Sequence, residues 1–352
     1  MKAAILPAVG EALVVREVEL TGPQEGEVRV RMAATGVCRS DLSMQDSTLP
    51  HPLPCVPGHE GSGVVVEVGP GVDDVAIGDH VILSWIVPCG HCRFCLGGQA
   101  NLCPDSMSAM GTNHIFADGV AVTAGMGTAT FAEETIVPSG AAIRIEDDVP
   151  LDVAALIGCG VTTGVGAALN TARVTPGARV AVIGCGGVGV NVIQGARIAG
   201  AAEIVAVDTV AHKREAAAAF GATAACDPEG LRTAAGDGFD FTFDVVGTPA
   251  TIRAAWDATR RGGTTVVVGA GRMDTEVAFS PFELFYMERT LKGCVYGSAD
   301  VRRDFHRFLD LWRSGRLELA SLISHRIGLE AVNDAFTAME AGSVLRTLIQ
   351  FD

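Results

Sequence analysis

The stretch Arg179-Val180-Ala181-Val182-Ile183-Gly184-Cys185-Gly186-Gly187-Val188-Gly189 decides the fold. Its first five residues, four of them apolar after Arg179, have the length of a buried strand. The glycines after it fit G-x-G-x-x-G, and the small residues 187–199 continue as a helix. A second strand, Ile204-Val205-Ala206-Val207-Asp208, closes on an acid. Strand, glycine turn, helix, strand and acid in that order describe a dinucleotide site. The glycines let the backbone approach a pyrophosphate at a helix N-terminus, where free N–H groups and the helix dipole favour an anion. Asp208 is expected to accept hydrogen bonds from the adenosine ribose, and its charge repels a 2′-phosphate, so NAD is expected over NADP. A glycine-rich turn in a nucleotide-free sheet is the plainer reading, and the placement of Asp208 argues against it.

Downstream, residues 211–220 read as a helix and Asp240–Val246, Thr264–Gly269 and Leu291–Tyr296 as strands. Strands alternating with helices at this interval mean a doubly wound parallel sheet. The segment Arg232–Gly238 reads as a surface loop. Upstream, residues 1–85 are β-rich. Val28, Val30 and Met32 alternate with charged residues, and Gly63–Gly69 and Asp79–Leu83 are further strands. Residues 105–130 are rich in Gly, Met and Thr and read as loop. From Val301 onward there are helices and a final strand, Arg346–Ile349. The fold class is therefore α/β, a Rossmann-type sheet joined to a β-rich domain.

The chain has 352 residues, enough for two cores. Its apolar runs are all far shorter than the roughly 20 residues of a membrane helix. With 26 basic and 41 acidic residues, a net charge of −15, it has little attraction for nucleic acid or an anionic membrane. The opening Met1–Pro7 lacks the apolar core and cleavage site of a secretory leader, and ten cysteines suit a reducing cytoplasm, which is the expected location.

Four of those cysteines, Cys89, Cys92, Cys95 and Cys103, follow C-x2-C-x2-C-x7-C. One loop with Gly90, Gly97 and Gly98 can wrap a tetrahedral Zn²⁺ with them, and four protein ligands leave no open position, so this zinc is expected to be structural. An iron–sulfur cluster is the other metal that the spacing allows. Three further residues, Cys38, His59 and Cys159, are together the donor set of a catalytic zinc with one open position. Buried cysteines are common, however, and residues so far apart in sequence need not converge.

The segments Gly36-Val37-Cys38-Arg39-Ser40-Asp41, Gly58-His59-Glu60-Gly61, Gly158-Cys159-Gly160 and Leu345-Arg346-Thr347, with the cysteine lobe and the glycine turn, resemble the zinc-dependent medium-chain alcohol dehydrogenases over essentially the full length. The resemblance implies a GroES-like catalytic domain from residues 1–160 and 297–352, carrying the zinc lobe 89–103, and an NAD-binding Rossmann domain over 161–296. It implies two zinc ions per subunit, the catalytic one on Cys38, His59 and Cys159. It implies hydride transfer between an alcohol and NAD, with Ser40 starting proton removal, Asp41 orienting His59 and Glu60 tuning the metal. Arg39 and Arg346 would contact the pyrophosphate as bidentate cations, and Gly184, Gly186, Gly187 and Gly189 would let the backbone approach it. Lys213 would support the adenosine ribose beside Asp208, and Val188 and Thr163 would pack on the nicotinamide.

Two places depart from the common pattern of such enzymes. Ser43 stands where many relatives carry a proton-relaying His, leaving His51 as a candidate base, and position 39 is Arg where many bacterial relatives have His. Trp85, Met126, Ala270 and Val295 are the expected pocket, with Gly125 and Ala270 leaving room beyond ethanol. A primary aromatic or medium-chain alcohol, or its aldehyde, is therefore the first substrate reading. An S-(hydroxymethyl) thiol adduct is the alternative, weakened because Arg39 is the one cation in sight for a carboxylate-bearing thiol. A zinc-free quinone or enone reductase would lack the Cys38, His59 and Cys159 set. A non-catalytic nucleotide-binding redox sensor would not need Ser40. Residues 270–296 resemble the family's subunit-pairing segment, so a homodimer or homotetramer is expected. Cys55, Cys185, Cys226 and Cys294 read as core.

Overall fold

Arg179–Ile183 is a central strand of a six-stranded parallel sheet in the structure, a computed structural model that describes residues 1–106 and 113–351. The strand order is Ala224–Cys226, Glu203–Val207, Arg179–Ile183, Phe239–Asp244, Thr259–Val267 and Thr290–Gly293. Val180, Ala181 and Val182 are fully buried, as expected of a strand covered on both faces. Chain order runs outward in both directions from Arg179–Ile183. A crevice therefore opens at its carboxyl end beside that of Phe239–Asp244, where doubly wound sheets bind ligands. Helices Gly187–Ile198, Ala211–Phe220 and Pro249–Ala258 connect the strands. Part of the expected loop at 232–238 is helical. Leu231–Ala235 forms a short helix because Leu231 and Ala235, four residues apart, both bury against the sheet.

The second sheet belongs to the other compact unit. It has seven strands, ordered Ala142–Ile145, His80–Leu83, Gly61–Val68, Glu27–Val37, Arg346–Gln350 and Ile323–Ile327, with Glu134–Pro138 also paired to Glu27–Val37. Val28, Val30 and Met32 face its core while Arg31 is exposed, as their alternation requires. The expected loop at 105–130 contains a hairpin, Ile115–Ala117 with Val120–Ala124. Its turn, Asp118-Gly119, is left-handed at both residues (φ 50° and 77°), the conformation that two-residue hairpin loops favour. The remainder of that expectation, residues 107–112, lies outside the described residues.

One unit comprises residues 1–159, 300–313 and 319–352, and the other residues 160–299 and 314–318. Residues 297–299 and 314–318 thus go with the nucleotide unit and not with the β-rich one. Asn170 Nδ2 donates to the Gly297 carbonyl, and the Gln194 side chain exchanges two hydrogen bonds of 2.8 Å with the backbone of Glu318. Among the described residues no single helix is long and apolar enough to cross a membrane.

Candidate active site

Cys38 follows the long strand Glu27–Val37 and caps the helix Arg39–Gln45. Asp41 in that helix is fully buried and accepts three hydrogen bonds of 2.9 Å, from Cys38 N, Gly58 N and His59 Nδ1. One carboxylate therefore ties together the strand end, the turn and the imidazole. It also orients the His59 ring, because a carboxylate that accepts the Nδ1–H hydrogen bond leaves Nε2 as the nitrogen that can ligate a metal. Gly58 sits at φ 95°, and a Cβ there would lie 2.5 Å from Thr130 Oγ1 and 2.6 Å from Phe131. No other residue fits that approach to His59.

The ligand atoms of Cys38, His59 and Cys159 all lie within 4.8 Å of one another, and all three residues are buried. His59 Nε2 is buried with no hydrogen-bond partner in the protein. A hydrogen bond from the Cys159 thiol pulls Cys38 well below the usual thiol range and pushes Cys159 above it, so the two share a proton that a divalent cation would displace. An orphaned nitrogen beside a thiolate–thiol pair fits zinc. Ser40 Oγ lies 4.0 Å from Cys38 Sγ.

Glu60 and Arg346 flank this centre. Burial pushes Glu60 up to about 8 and the Arg346 guanidinium pulls it back. Arg346 Nε stands 3.4 Å from Glu60 Oε1, and Nη1 donates to the Val37 carbonyl at 3.2 Å. Arg346 is thus held in the interior, 6% exposed, with its Nη2 left without a hydrogen-bond partner. A buried carboxylate needs a compensating charge, which explains that position. Arg39, by contrast, is exposed.

In the cysteine lobe the sulfurs of Cys89 and Cys95, Cys92 and Cys95, and Cys92 and Cys103 are 4.0, 3.5 and 3.9 Å apart. Four bonds of 2.3 Å to one tetrahedral centre set this spacing at about 3.8 Å. All ten cysteines are free thiols, and the backbone N–H groups of Cys89, Cys92 and Cys95 point at sulfurs in the lobe. The lobe fits zinc without rearrangement.

The glycine turn divides its work as the sequence suggests. Gly184 is left-handed at φ 95°. A Cβ at Gly189 would lie 1.8 Å from the Gly184 carbonyl oxygen, so helix and strand close only on glycine. A Cβ at Gly186 would meet nothing within 4 Å, leaving open space where a pyrophosphate approaches. Gly187 and Val188 open the helix Gly187–Ile198. Asp208 folds its carboxylate onto the turn, accepting from Cys185 N at 2.8 Å and Val210 N at 2.9 Å. Arg214, not singled out from sequence, donates to the Asp208 carbonyl at 2.7 Å, while Lys213 beside it is half-buried. Thr163 lies in helix Gly160–Gly166, which packs so closely on Val188 that a Cβ on Gly164 would be 2.5 Å from the Val188 carbonyl.

Of the expected pocket residues, Trp85 and Met126 belong to the β-rich unit, and Ala270 and Val295 to the nucleotide unit. Trp85 and Met126 are half-buried, Ala270 and Val295 exposed. Ser43 is buried within helix Arg39–Gln45.

Comparison with known proteins decides the family. Residues 24–147 match the alcohol dehydrogenase GroES-like domain and residues 187–314 the zinc-binding dehydrogenase domain. The chain belongs to the zinc-dependent medium-chain alcohol dehydrogenases. It is 36% identical to an S-(hydroxymethyl)glutathione dehydrogenase of Paracoccus denitrificans, across 99% of both chains. It is 37% identical to an NDMA-dependent alcohol dehydrogenase of Amycolatopsis methanolica, across 99% of this chain and 98% of the relative. The benzyl alcohol dehydrogenase structure from Acinetobacter calcoaceticus superposes with a TM-score of 0.92 at 30% identity, covering all of this chain and 99% of that one. A zinc-binding domain alcohol dehydrogenase from Burkholderia ambifaria reaches 0.94 at 32%, covering 100% and 98%. Zinc suits the two metal clusters of this alcohol dehydrogenase, and NAD is the dinucleotide typical of its family.

Proposed function

We propose that this dehydrogenase oxidises a hydroxymethyl carbon with NAD, reversibly, at the Cys38–His59–Cys159 centre. The observation that carries the proposal is the bare, buried His59 Nε2 facing two thiol groups, with the Ser40 hydroxyl beside Cys38. Bound there, zinc supplies Lewis acidity to the substrate oxygen and the dinucleotide supplies the hydride acceptor. The protein's own residues do the rest. Asp41 orients His59, and Ser40 accepts the hydroxyl group's hydrogen bond and hands a proton on toward solvent. Glu60 and Arg346 balance charge against the ligands. Arg39, exposed at the start of its helix, is placed to meet the pyrophosphate, and Asp208 accepts from the ribose hydroxyls and disfavours a 2′-phosphate. A second zinc, on Cys89, Cys92, Cys95 and Cys103, holds the lobe.

On substrate, the relatives shift the balance. The names of the curated relatives favour the S-(hydroxymethyl) adduct of a low-molecular-weight thiol over the plain alcohol placed first from sequence. A benzylic alcohol is the second reading, supported by the likeness to the Acinetobacter enzyme. One assay separates them, NADH formation by the zinc-loaded enzyme with benzyl alcohol, medium-chain alcohols, and formaldehyde plus glutathione. Turnover only with the thiol present selects the adduct. Turnover of benzyl alcohol alone selects the second reading, and silence throughout defeats both. NADP in place of NAD is expected to support little turnover.

The enzyme is proposed to act as a homo-oligomer. All four residues of the edge strand Thr290–Gly293 are exposed, as are Phe282, Phe285 and Tyr286 in the helix just before it. Such an edge with apolar neighbours suits a second copy of this chain. Sedimentation is expected to show a dimer or tetramer that Phe285→Asp splits, and a monomeric wild type would defeat the idea. A reducing, cytoplasmic setting fits the ten free thiols.

A further inference from the structure

Both ring nitrogens of His51 are engaged. Nδ1 lies 3.0 Å from the Pro52 carbonyl oxygen, and Nε2 lies 3.3 Å from the Met126 backbone nitrogen. A carbonyl only accepts and an amide N–H only donates, so Nδ1 carries the proton and Nε2 is bare. The two contacts thus define one tautomer of the ring. It cannot relay a proton without letting go of Met126, which counts against His51 as the substitute base.

What it holds is an unusual turn. Met126 is left-handed (φ 48°, ψ 25°), a conformation that residues with side chains seldom adopt. Gly125 before it is pressed against the chain leading to His59, since a Cβ there would lie 2.5 Å from the Val56 carbonyl and 2.8 Å from Pro57 Cα. Two residues on, Thr128 Oγ1 donates to the carbonyl of Gly58, the residue preceding the ligand His59. The turn is thus wedged on the metal-ligand segment on one side and secured by His51 on the other.

We infer that His51 is a positioning residue for the substrate. Its bare Nε2 holds Met126 in the left-handed turn, and so sets the size of hydroxymethyl substrate that the enzyme accepts. The inference rests on Met126 lining the pocket of a working dehydrogenase.

The test pairs kinetics with a spectrum. In the zinc-loaded enzyme with NAD, His51→Phe keeps a ring but loses the acceptor, whereas His51→Gln can offer its amide oxygen to the Met126 N–H. His51→Phe is expected to raise KM for benzyl alcohol, or for S-(hydroxymethyl)glutathione if that is what turns over, about tenfold more than KM for ethanol, with kcat falling far less. His51→Gln is expected to restore most of the loss. Equal falls in kcat for large and small substrates would mark a proton carrier, and an unchanged KM ratio would show no role; either overturns the inference. In wild-type enzyme carrying ¹⁵N-histidine, the His51 signals are expected to show a protonated Nδ1 and a bare Nε2 at neutral pH. A protonated Nε2 sinks the inference even if His51→Phe fails to fold. Absence of turnover with every substrate would defeat the proposed function, and the nitrogen spectrum would still decide whether His51 holds the turn.

Discussion

Arg346 Nε lies 3.4 Å from Glu60 Oε1, and both side chains are buried beside the Cys38–His59–Cys159 cluster. An ion pair taken out of water is costly to form and costlier to break, because the surviving charge has no solvent to turn to. The two residues are therefore coupled in stability as well as in position.

Arg346→Met is expected to destabilise the zinc-loaded protein by about 3 kcal/mol in urea unfolding, and Glu60→Gln combined with Arg346→Met by clearly less. The same variants locate the guanidinium in the working enzyme. KM for NAD within about twofold of wild type for Arg346→Met supports a purely interior role, whereas a rise of tenfold or more places the guanidinium on the pyrophosphate.

The cysteine lobe predicts a separable metal. Cys103→Ser is expected to lower bound zinc, measured by atomic emission, from two ions per subunit to one. It should also make the 89–103 segment the first site of proteolysis. Cys159→Ser is expected to remove turnover while the lobe zinc remains. A lobe variant that keeps both ions would refute the assignment of the four thiols.

Gly189→Ala is the sharpest test of the nucleotide turn. Its Cβ would lie 1.8 Å from the Gly184 carbonyl oxygen, a backbone atom that cannot swing aside. Loss of NADH binding, followed by nicotinamide fluorescence, is expected, with a lowered unfolding temperature. Gly186→Ala, whose Cβ meets only open space, is expected to fold normally and still bind NADH poorly.

Asp240 predicts an acid-dependent difference. Burial works against its ionised form, but the Arg179 N–H at 2.7 Å and Arg260 Nε at 2.6 Å outweigh it and hold the carboxyl below its usual range. A carboxyl lowered in the folded state stabilises above its unfolded pKa of about 3.9, and that contribution is lost as pH falls through the folded value. Asp240→Asn is thus expected to melt roughly 2–4 °C below wild type at pH 7, with the gap closing in strong acid. A gap that stays constant with pH would mean that the carboxylate charge contributes nothing.

Much of the site is legible before any folding is considered. The zinc lobe spans fifteen residues and the glycine turn six, so their geometry is nearly a property of the local chain. The hairpin at 115–124 was legible too, since Asp118-Gly119 between two short apolar runs signals it, but the Gly and Thr content around it masked the pattern. Leu231–Ala235 was hidden differently. One helical turn among polar residues carries too little periodicity to see, and only burial against the sheet makes it fold.

By itself the sequence determined the parallel sheet, the nucleotide turn and the four-thiol lobe, because strand period, glycine freedom and close ligand spacing act over a few residues. Tertiary structure alone decided that Cys38, His59 and Cys159 meet, that Arg346 turns inward to Glu60, and that His51 holds Met126. Each of these depends on which distant groups share a buried, low-dielectric space, where an unpaired charge or donor is too costly to leave alone.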